Sequence, residues 1–310
     1  MSELLNIQYD LASARRFNES HAKRYWPDIQ MHPDLVHEYP GLSMACGSVE
    51  FAQSTHALQC VLHDLSVGDL NGDAIEIDGK FGAGTWAATI EHYAGEPTDG
   101  PVIIRNGVSI SVDCETPLLT WHDEGGLDLH RDGGWSKRPK AKAPDLIVLH
   151  WGGRNAKSCR NALASRDLSS HFGTDRGAIY QWLDISHNAW HAGRRANGRS
   201  IGIDICQQPT VNLAGWYNDR GYDLEPMENP SMRGPDMVLP LHPETIKATA
   251  DLLRVLTKAS GIPLTFPRRD DVLSLADFQR FSGVLGHHHI SAKKWDVAPW
   301  IGALKEELGV

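Results

Sequence analysis

The sequence predicts an α/β protein: a mixed central β-sheet flanked by helices over the carboxy-terminal half, with a small helical domain ahead of it. Three observations carry this expectation. From Pro144 onward, short apolar runs suited to buried strands alternate with helical and turn segments. Between residues 46 and 95, two helical patterns flank a loop rich in Gly and Asp. A chain of 310 residues also exceeds the ~100–200 residues of one usual core, so two domains, or one large domain with additions, are expected.

Residues 1–45 mix charge with aromatics and show weak periodicity, which predicts short helices without a clear role. In "SVEFAQSTHALQCVLHDL", Val49, Ala52, Leu58, Val61, Leu62 and Leu65 fall near helical spacing. After the Gly/Asp loop, "AGTWAATIEHYAG" predicts a second short helix stopped by Gly95 and Pro97. The loop segment from Asp69 to Lys80 has acidic spacing like a calcium loop. However, Ala74 stands where the turn glycine belongs and Lys80 where a bidentate carboxylate belongs, so calcium is not expected there. Across 96–143, "PVIIRNGVSISV" alternates around Asn-Gly and predicts a hairpin, and "KRPKAKAPD" reads as a linker.

The remaining segment, 144–310, reads as one domain. "DLIVLHW" is a buried strand, "SCRNALAS" a short helix, "HFGTDRGAIYQWLD" a hairpin turning at Asp-Arg-Gly, and "SIGIDICQ" another buried strand. In "HPETIKATADLLRVLTKASGIP", Pro243 suits the first helical position and Glu244 the positive end of the helix dipole. Ile246, Ala250, Leu253 and Leu256 make its apolar face, and Gly261 with Pro263 stop it. Residues 209–240 form a long loop rich in Pro, Gly, Asn and aromatics, either a substrate lid or a passive insertion.

The composition excludes some functions. With a formal net charge of -9 and no Lys/Arg stripe, nucleic acid is not an expected partner. No apolar run approaches the ~20 residues of a membrane span, and the amino-terminal stretch lacks the pattern of a secretory signal. Synthesis in the cytoplasm without a signal peptide is therefore expected, with delivery by another route if the protein acts elsewhere. Five scattered cysteines without a C-x-x-C pair predict reduced, mostly buried thiols rather than a disulfide framework.

The stretch "GVLGHHHISAKKWDVAPW" carries the chemistry. A catalytic zinc site takes three imidazole or carboxylate ligands and keeps one position open, with ligands on strand ends and loops where side chains converge. His150 ends the strand "LIVLH"; the run from Gly286 offers more histidines and, nine residues past His287, Asp296. A lone strand-end histidine is usually a hydrogen-bonded core residue, so the case rests on the conjunction. The residues alone leave open which histidine of the triplet would ligate.

Four motifs in order, "LIVLHW", "SSHFGTDRGAIYQWLDISHNAWHAG", "NGRSIGIDICQ" and "GHHHISAKKWD", resemble the zinc-dependent N-acetylmuramoyl-L-alanine amidase family over residues 144–300. That family includes phage endolysins, cytosolic wall-recycling amidases and animal peptidoglycan recognition proteins. The resemblance implies Zn2+ held by His150, His287 and Asp296. It also implies Asp204 as the carboxylate that activates water, in a place where recycling enzymes carry Glu, and Lys294 as the partner of the developing oxyanion. Trp190, His191, Asn197 and His171 match positions implied to bind substrate. Two departures stand out. Ala292 replaces the usual Pro, and the last loop is shorter, so that counting eight residues back from the third ligand would select His288 instead of His287. Leu58, Gln59, Asp78, Gly79, Phe81, Gly82 and Thr85 resemble the hallmarks of a small three-helix peptidoglycan-binding domain over 46–95. The function so implied is hydrolysis of the amide between N-acetylmuramic acid and L-alanine in polymeric cell wall by a monomer. The wall-binding module favours an endolysin-like enzyme acting after release or delivery. A non-catalytic recognition protein and a cytosolic recycling amidase are the alternatives.

Overall fold

The computed structural model describes residues 9–29, 33–65, 74–93, 100–138, 143–231 and 233–310. The chain forms two compact units that divide after residue 99.

The first unit is helical: α1 (Leu11–His21), α2 (Trp26–Ile29), α3 (Pro33–Glu38), α4 (Val49–Asp64) and α5 (Ala83–Tyr93). Ser48 caps α4 by accepting from Phe51 N–H. The described residues before 46, whose role the sequence left open, fold with the module. Helix α1 packs on α4, and Leu35 and Leu42 are buried in the same unit as Phe51, Leu58 and Phe81. The Asp-Gly-x-Phe-Gly loop is held from both sides. Asn18 of α1 donates to Gly79 O (2.9 Å) and accepts from Phe81 N–H (2.6 Å). Gln59 of α4, 1% exposed, accepts from the N–H groups of Asp78 (3.1 Å) and Gly79 (2.8 Å) and donates to Lys80 O and Thr85 Oγ1. A buried loop backbone needs such partners, which is why a glutamine sits on the buried face of this helix. Part of the Asp69–Lys80 loop lies outside the described residues; at its end Asp78 pairs with Lys80 at 2.9 Å.

The second unit begins with β1 (Val102–Arg105) and β2 (Val108–Ser111). They form the expected hairpin, with Asn106 and Gly107 at φ of 54° and 77°, as a two-residue type I′ turn requires. This hairpin is stitched to the strands that follow: Ile104 exchanges hydrogen bonds with the Gln181 side chain (2.6 and 2.7 Å), and the Asp184 carboxylate accepts from Asn106 and Gly107 N–H. Next come β3 (Leu118–Leu119), β4 (Trp135–Lys137), β5 (Leu146–Trp151), α6 (Ala156–Ala164), β6 (Phe172–Asp175), β7 (Ala178–Gln181), β8 (His187–Ala189), α7 (Arg194–Asn197) and β9 (Ser200–Ile205). The chain continues through α8 (Ala214–Asn218), β10 (Met227–Glu228), β11 (Met237–Val238), α9 (Pro243–Ser260), α10 (Leu275–Arg280), β12 (Gly283–Gly286) and α11 (Ile301–Leu308).

Six strands make one sheet in the order β12-β5-β9-β6-β7-β3. Strands β12, β5, β9 and β6 run parallel; β7 is antiparallel to β6 and parallel to β3. The sheet is therefore mixed and covered by helices, as the alternation of patterns predicts. All six residues of β9, and the first five of β5, are buried, which fits central parallel strands. Helix α9 lies against β6 and β7; Ala250, Leu253 and Leu256 are buried and Ile246 half-buried. On the opposite face Leu146, Val148 and Leu285 pack with Ala192, Ala196 and Phe278. The expected linker is partly built in: Lys137 ends β4, which pairs with β8, and Arg138 donates to His187 O and Ser200 O, both at 2.9 Å. Residues 139–142 lie outside the described residues. The 209–240 loop has its own small core of Tyr217, Leu224 and Leu239. Among the described residues, no helix is long and apolar enough to cross a membrane.

Candidate metal centre

Ligands in open sheets with parallel strands gather at the strands' carboxyl ends. Here those ends meet at one corner. His150 is opposite Asp204 in the parallel pairing of β5 with β9, so both side chains leave the same face. On the other side of β5, β12 ends at Gly286, opposite Leu149, and delivers His287. Two successive turns then bring Asp296 back, with Ile290 and Ser291 N–H bonded to His287 O and Lys294 N–H bonded to Ser291 O. The nine-residue spacing is the length those turns consume.

His150, His287 and Asp296 offer three ligand atoms that all lie within 4.8 Å of one another. Asp296 Oδ2 is 3.4 Å from His150 Nδ1 and 3.2 Å from His287 Nδ1. Burial alone would raise the Asp296 carboxyl, but the two imidazole rings beside it outweigh this and hold it far below the usual carboxylate range. Burial likewise pushes the His287 ring down. A carboxylate and a neutral imidazole are the forms that bind metal.

The tautomer of His150 follows from its surroundings. Ser200 Oγ–H donates to Ala196 O (2.8 Å), so the Ser200 oxygen accepts from His191 Nε2–H (3.0 Å). That leaves His191 Nδ1 bare to accept from His150 Nε2–H at 2.9 Å. His150 Nδ1 then carries a lone pair and faces Asp296. A second shell that fixes ring and tautomer is what a metal-ligating histidine needs.

Asp204 is 5% exposed, and its Oδ2 is buried with no hydrogen-bond partner among the described residues. Burial raises its pKa. An unsatisfied buried carboxylate oxygen is costly, and its place beside His150 makes it a free acceptor at the edge of the cluster. Lys294 is exposed and close enough for its charge to lower the His287 ring further.

Of the four residues expected to bind substrate, His191 touches the cluster through His150. His171 is wholly buried, accepts from Gly202 N–H at Nδ1 and faces His187 O at Nε2; burial lowers its pKa to about 3. His191 spends both ring nitrogens on His150 and Ser200. Asn197 Oδ1 accepts from the N–H groups of His191 and Ala192. The ring nitrogens of both histidines and the Asn197 carbonyl oxygen are therefore engaged within the protein. Trp190 is 39% exposed and lies against Gly134. Ser200, which orients His191, is the site residue that sequence reading missed; its only signal was its place two residues before Gly202 on the strand that carries Asp204.

His288 does not join the cluster. It is wholly buried and bonded through Nε2 to Asp270 Oδ1 at 2.6 Å, and His289 lies 3.7 Å from the same oxygen. Asp270, His288 and His289 come together closely enough to resemble a second metal site. However, His289 Nδ1 accepts from Gly286 N–H (3.0 Å), so its Nε2 carries the proton and has no lone pair to give. The trio locks the turn that presents His287.

A mixed sheet that collects two imidazoles and a carboxylate at the ends of its parallel strands defines an α/β protein with a His–His–Asp metal-type centre. The family described as N-acetylmuramoyl-L-alanine amidase (Amidase_2) matches residues 140–299, just over half of the chain, and the chain belongs to that family. Among curated proteins, it is similar to the N-acetylmuramoyl-L-alanine amidase CwlH of Bacillus subtilis (strain 168), 36% identical over 78 residues, which are 22% of this chain and 31% of that protein. The amidase XlyA of the same strain is 34% identical over 92 residues, 26% of this chain and 31% of its own length. The chain thus spans under a third of the length of these relatives. Among solved structures, a mutant endolysin from Bacillus subtilis is similar at 20% identity and a TM-score of 0.36, over 63% of this chain and 99% of its own.

Proposed function

We propose that the second unit hydrolyses the amide between the lactyl group of N-acetylmuramic acid and L-alanine in peptidoglycan, with Zn2+ held by His150, His287 and Asp296. The observation that carries this reading is the one-way hydrogen-bond chain from His150 through His191 and Ser200 to Ala196 O, which leaves His150 Nδ1 bare among two further donors. The donor set fits zinc, which favours nitrogen and oxygen ligands at tetrahedral sites and keeps one position open in catalytic ones. Zinc, when bound, supplies a Lewis acid that polarises the scissile carbonyl and acidifies a water molecule. Asp204 accepts the proton of the attacking water at its free Oδ2 and returns it to the leaving amine. Lys294 sets its ammonium against the charge that develops on the carbonyl oxygen, a contribution of ~3 kcal/mol in comparable sites.

The helical first unit holds the enzyme on the insoluble polymer and raises the local substrate concentration. With it, the activity is endolysin-like: lytic, on intact wall. Family membership and the described cluster support the hydrolysis, and the Leu-Gln and Asp-Gly-x-Phe-Gly motifs of the first unit support the binding role. Metal analysis combined with exhaustive chelation tests it. Chelation is expected to abolish release of new amino groups from cell-wall sacculi, zinc to restore it, and Asp296→Ala to lose both metal and turnover; full turnover by the metal-free protein overturns the scheme.

A further inference from the structure

Ser169 and Ser170 precede β6, both wholly buried, and use their hydroxyls differently. Ser169 Oγ donates to Gly134 O (2.6 Å) and accepts from Trp190 N–H (3.0 Å), which ties the start of β4 to the end of β8. Ser170 Oγ has no hydrogen bond of ordinary geometry among the described residues, and the same is true of Asp204 Oδ2. A buried hydroxyl and a buried carboxylate oxygen are each costly to leave unpaired. Two such oxygens in one neighbourhood call for a common explanation.

They do share one. A Cβ added at Gly202 would come within 2.8 Å of Ser170 Oγ and 2.9 Å of the His191 ring. Gly202 and Asp204 are two residues apart on β9, so their side-chain positions share a face of the sheet. On that face His150 stands opposite Asp204. The missing side chain at Gly202 thus opens the space that the Ser170 hydroxyl occupies. Burial raises the Asp204 carboxyl, while the His150 ring and then the Ser170 hydroxyl act the other way, as a donor beside a carboxylate does. Against Oδ1 the close neighbour is Cys159. A Cβ added at Gly152 would come within 2.4 Å of Cys159 Sγ and 2.6 Å of Asp204 Oδ1. A thiol is a weak donor, so the Ser170 hydroxyl is the group better able to hold the carboxylate.

We propose that Ser170 is a positioning residue for Asp204: its hydroxyl donates to the carboxylate and fixes the plane in which Oδ2 meets the attacking water. The inference rests on the hydrolysis proposed above. The last torsion of an aspartate side chain has only a broad preference, so a lone carboxylate at the end of β9 would sample many orientations. A hydroxyl held in the wall narrows them. Each carboxylate oxygen has two lone pairs, so acceptance from Ser170 leaves room for the proton of water. Orientation matters because a misplacement of about 1 Å in a reacting group costs on the order of 100-fold in rate.

The test has two readouts on the full-length zinc-loaded protein. The first is turnover of a soluble muramoyl peptide. Ser170→Ala is expected to lower kcat about tenfold or more, with KM, bound zinc and melting temperature unchanged. Ser170→Cys, close in shape but a weaker donor, should fall between it and the native protein. Native kcat in Ser170→Ala overturns the role. So does a loss that both variants match with lost zinc or a lower melting temperature, which marks Ser170 as part of the scaffold. The second readout is the carboxylate stretch in the infrared difference spectrum between the native protein and Ser170→Ala. A shifted band is expected, and it should vanish when the same pair is compared in an Asp204→Asn background. An unshifted band, or a shift that persists without Asp204, overturns the contact between the two side chains. Because the spectrum needs no turnover, failure of the native protein to cleave the peptide overturns the hydrolysis separately from the contact.

Discussion

His150 draws its role from two neighbours that never reach solvent freely. Its ring is fixed by His191, whose ring is fixed by Ser200, so metal affinity should respond to residues that touch no metal. His191→Phe removes the acceptor for His150 Nε2–H and is expected to weaken zinc binding about 10–100-fold. Ser200→Ala, which frees the His191 tautomer, should act in the same direction and less strongly. Competition against a chromophoric chelator reads both; zinc affinity unchanged in His191→Phe would remove the positioning role. Asp204 yields a pH prediction. Burial raises its pKa, and a base works only when deprotonated, so kcat/KM should fall as pH drops through a value above the ordinary carboxylate range. Asp204→Asn should abolish turnover while leaving bound zinc, and a variant that keeps the acidic limb of the pH profile would assign that limb elsewhere.

At the scale of elements, the strands and long helices were legible because their patterns are local. The runs at 146–151 and 200–205 are apolar without interruption, and α9 has a cap, a stripe and a stop. The Asn-Gly hairpin was legible for the same reason. What escaped the sequence was how distant pieces share hydrogen bonds. His171 and Asn197 sit in motifs that read as functional, yet their polar atoms serve the backbones of β9 and of the turn before α7. Arg138 lies in a stretch that composition marks as linker, but two carbonyls far along the chain hold it. The choice of His287 over His288 was legible only by resemblance; the reason for it, Asp270, stands 18 residues upstream of His288. One element-level effect concerns α9. Asp251 is 7% exposed; burial would raise its carboxyl, but hydrogen bonds from Lys247 and Thr116 and the charge of Arg254 lower it overall. Its folded value lies below its unfolded one, so its stabilisation is present above the ordinary carboxylate range and is lost as pH falls through the folded value. Asp251→Ala should cost roughly 2–4 kcal/mol at pH 7, because Thr116 and two cations lose a buried partner. Denaturant melts at pH 7 and pH 3 check this; an equal cost at both would separate the effect from ionisation.

At the scale of the whole molecule, the division after residue 99 determines which fragments should work. A fragment of residues 100–310 keeps the β1–β2 hairpin, its bonds to Gln181 and Asp184, and strand β3. It should cleave soluble muramoyl peptides at the full-length rate but lose about tenfold or more on intact sacculi, through loss of effective concentration. Equal rates on sacculi would remove the targeting role of the first unit. A fragment starting at residue 141 lacks the hairpin and the edge strand, leaving Gln181 and Asp184 with unmet buried groups, and is expected to melt several degrees lower than the 100–310 fragment.

The pairing of His150 with Asp204 across two central strands has a further effect. Because a slip of one residue would turn Asp204 to the other side of the sheet, the two groups face each other only in the register that the buried strands hold. Heat or denaturant should therefore switch the centre off as a unit with the spine of the sheet, and variants selected for endurance would be expected to change the rim and the outer helices while leaving those two strands as they are.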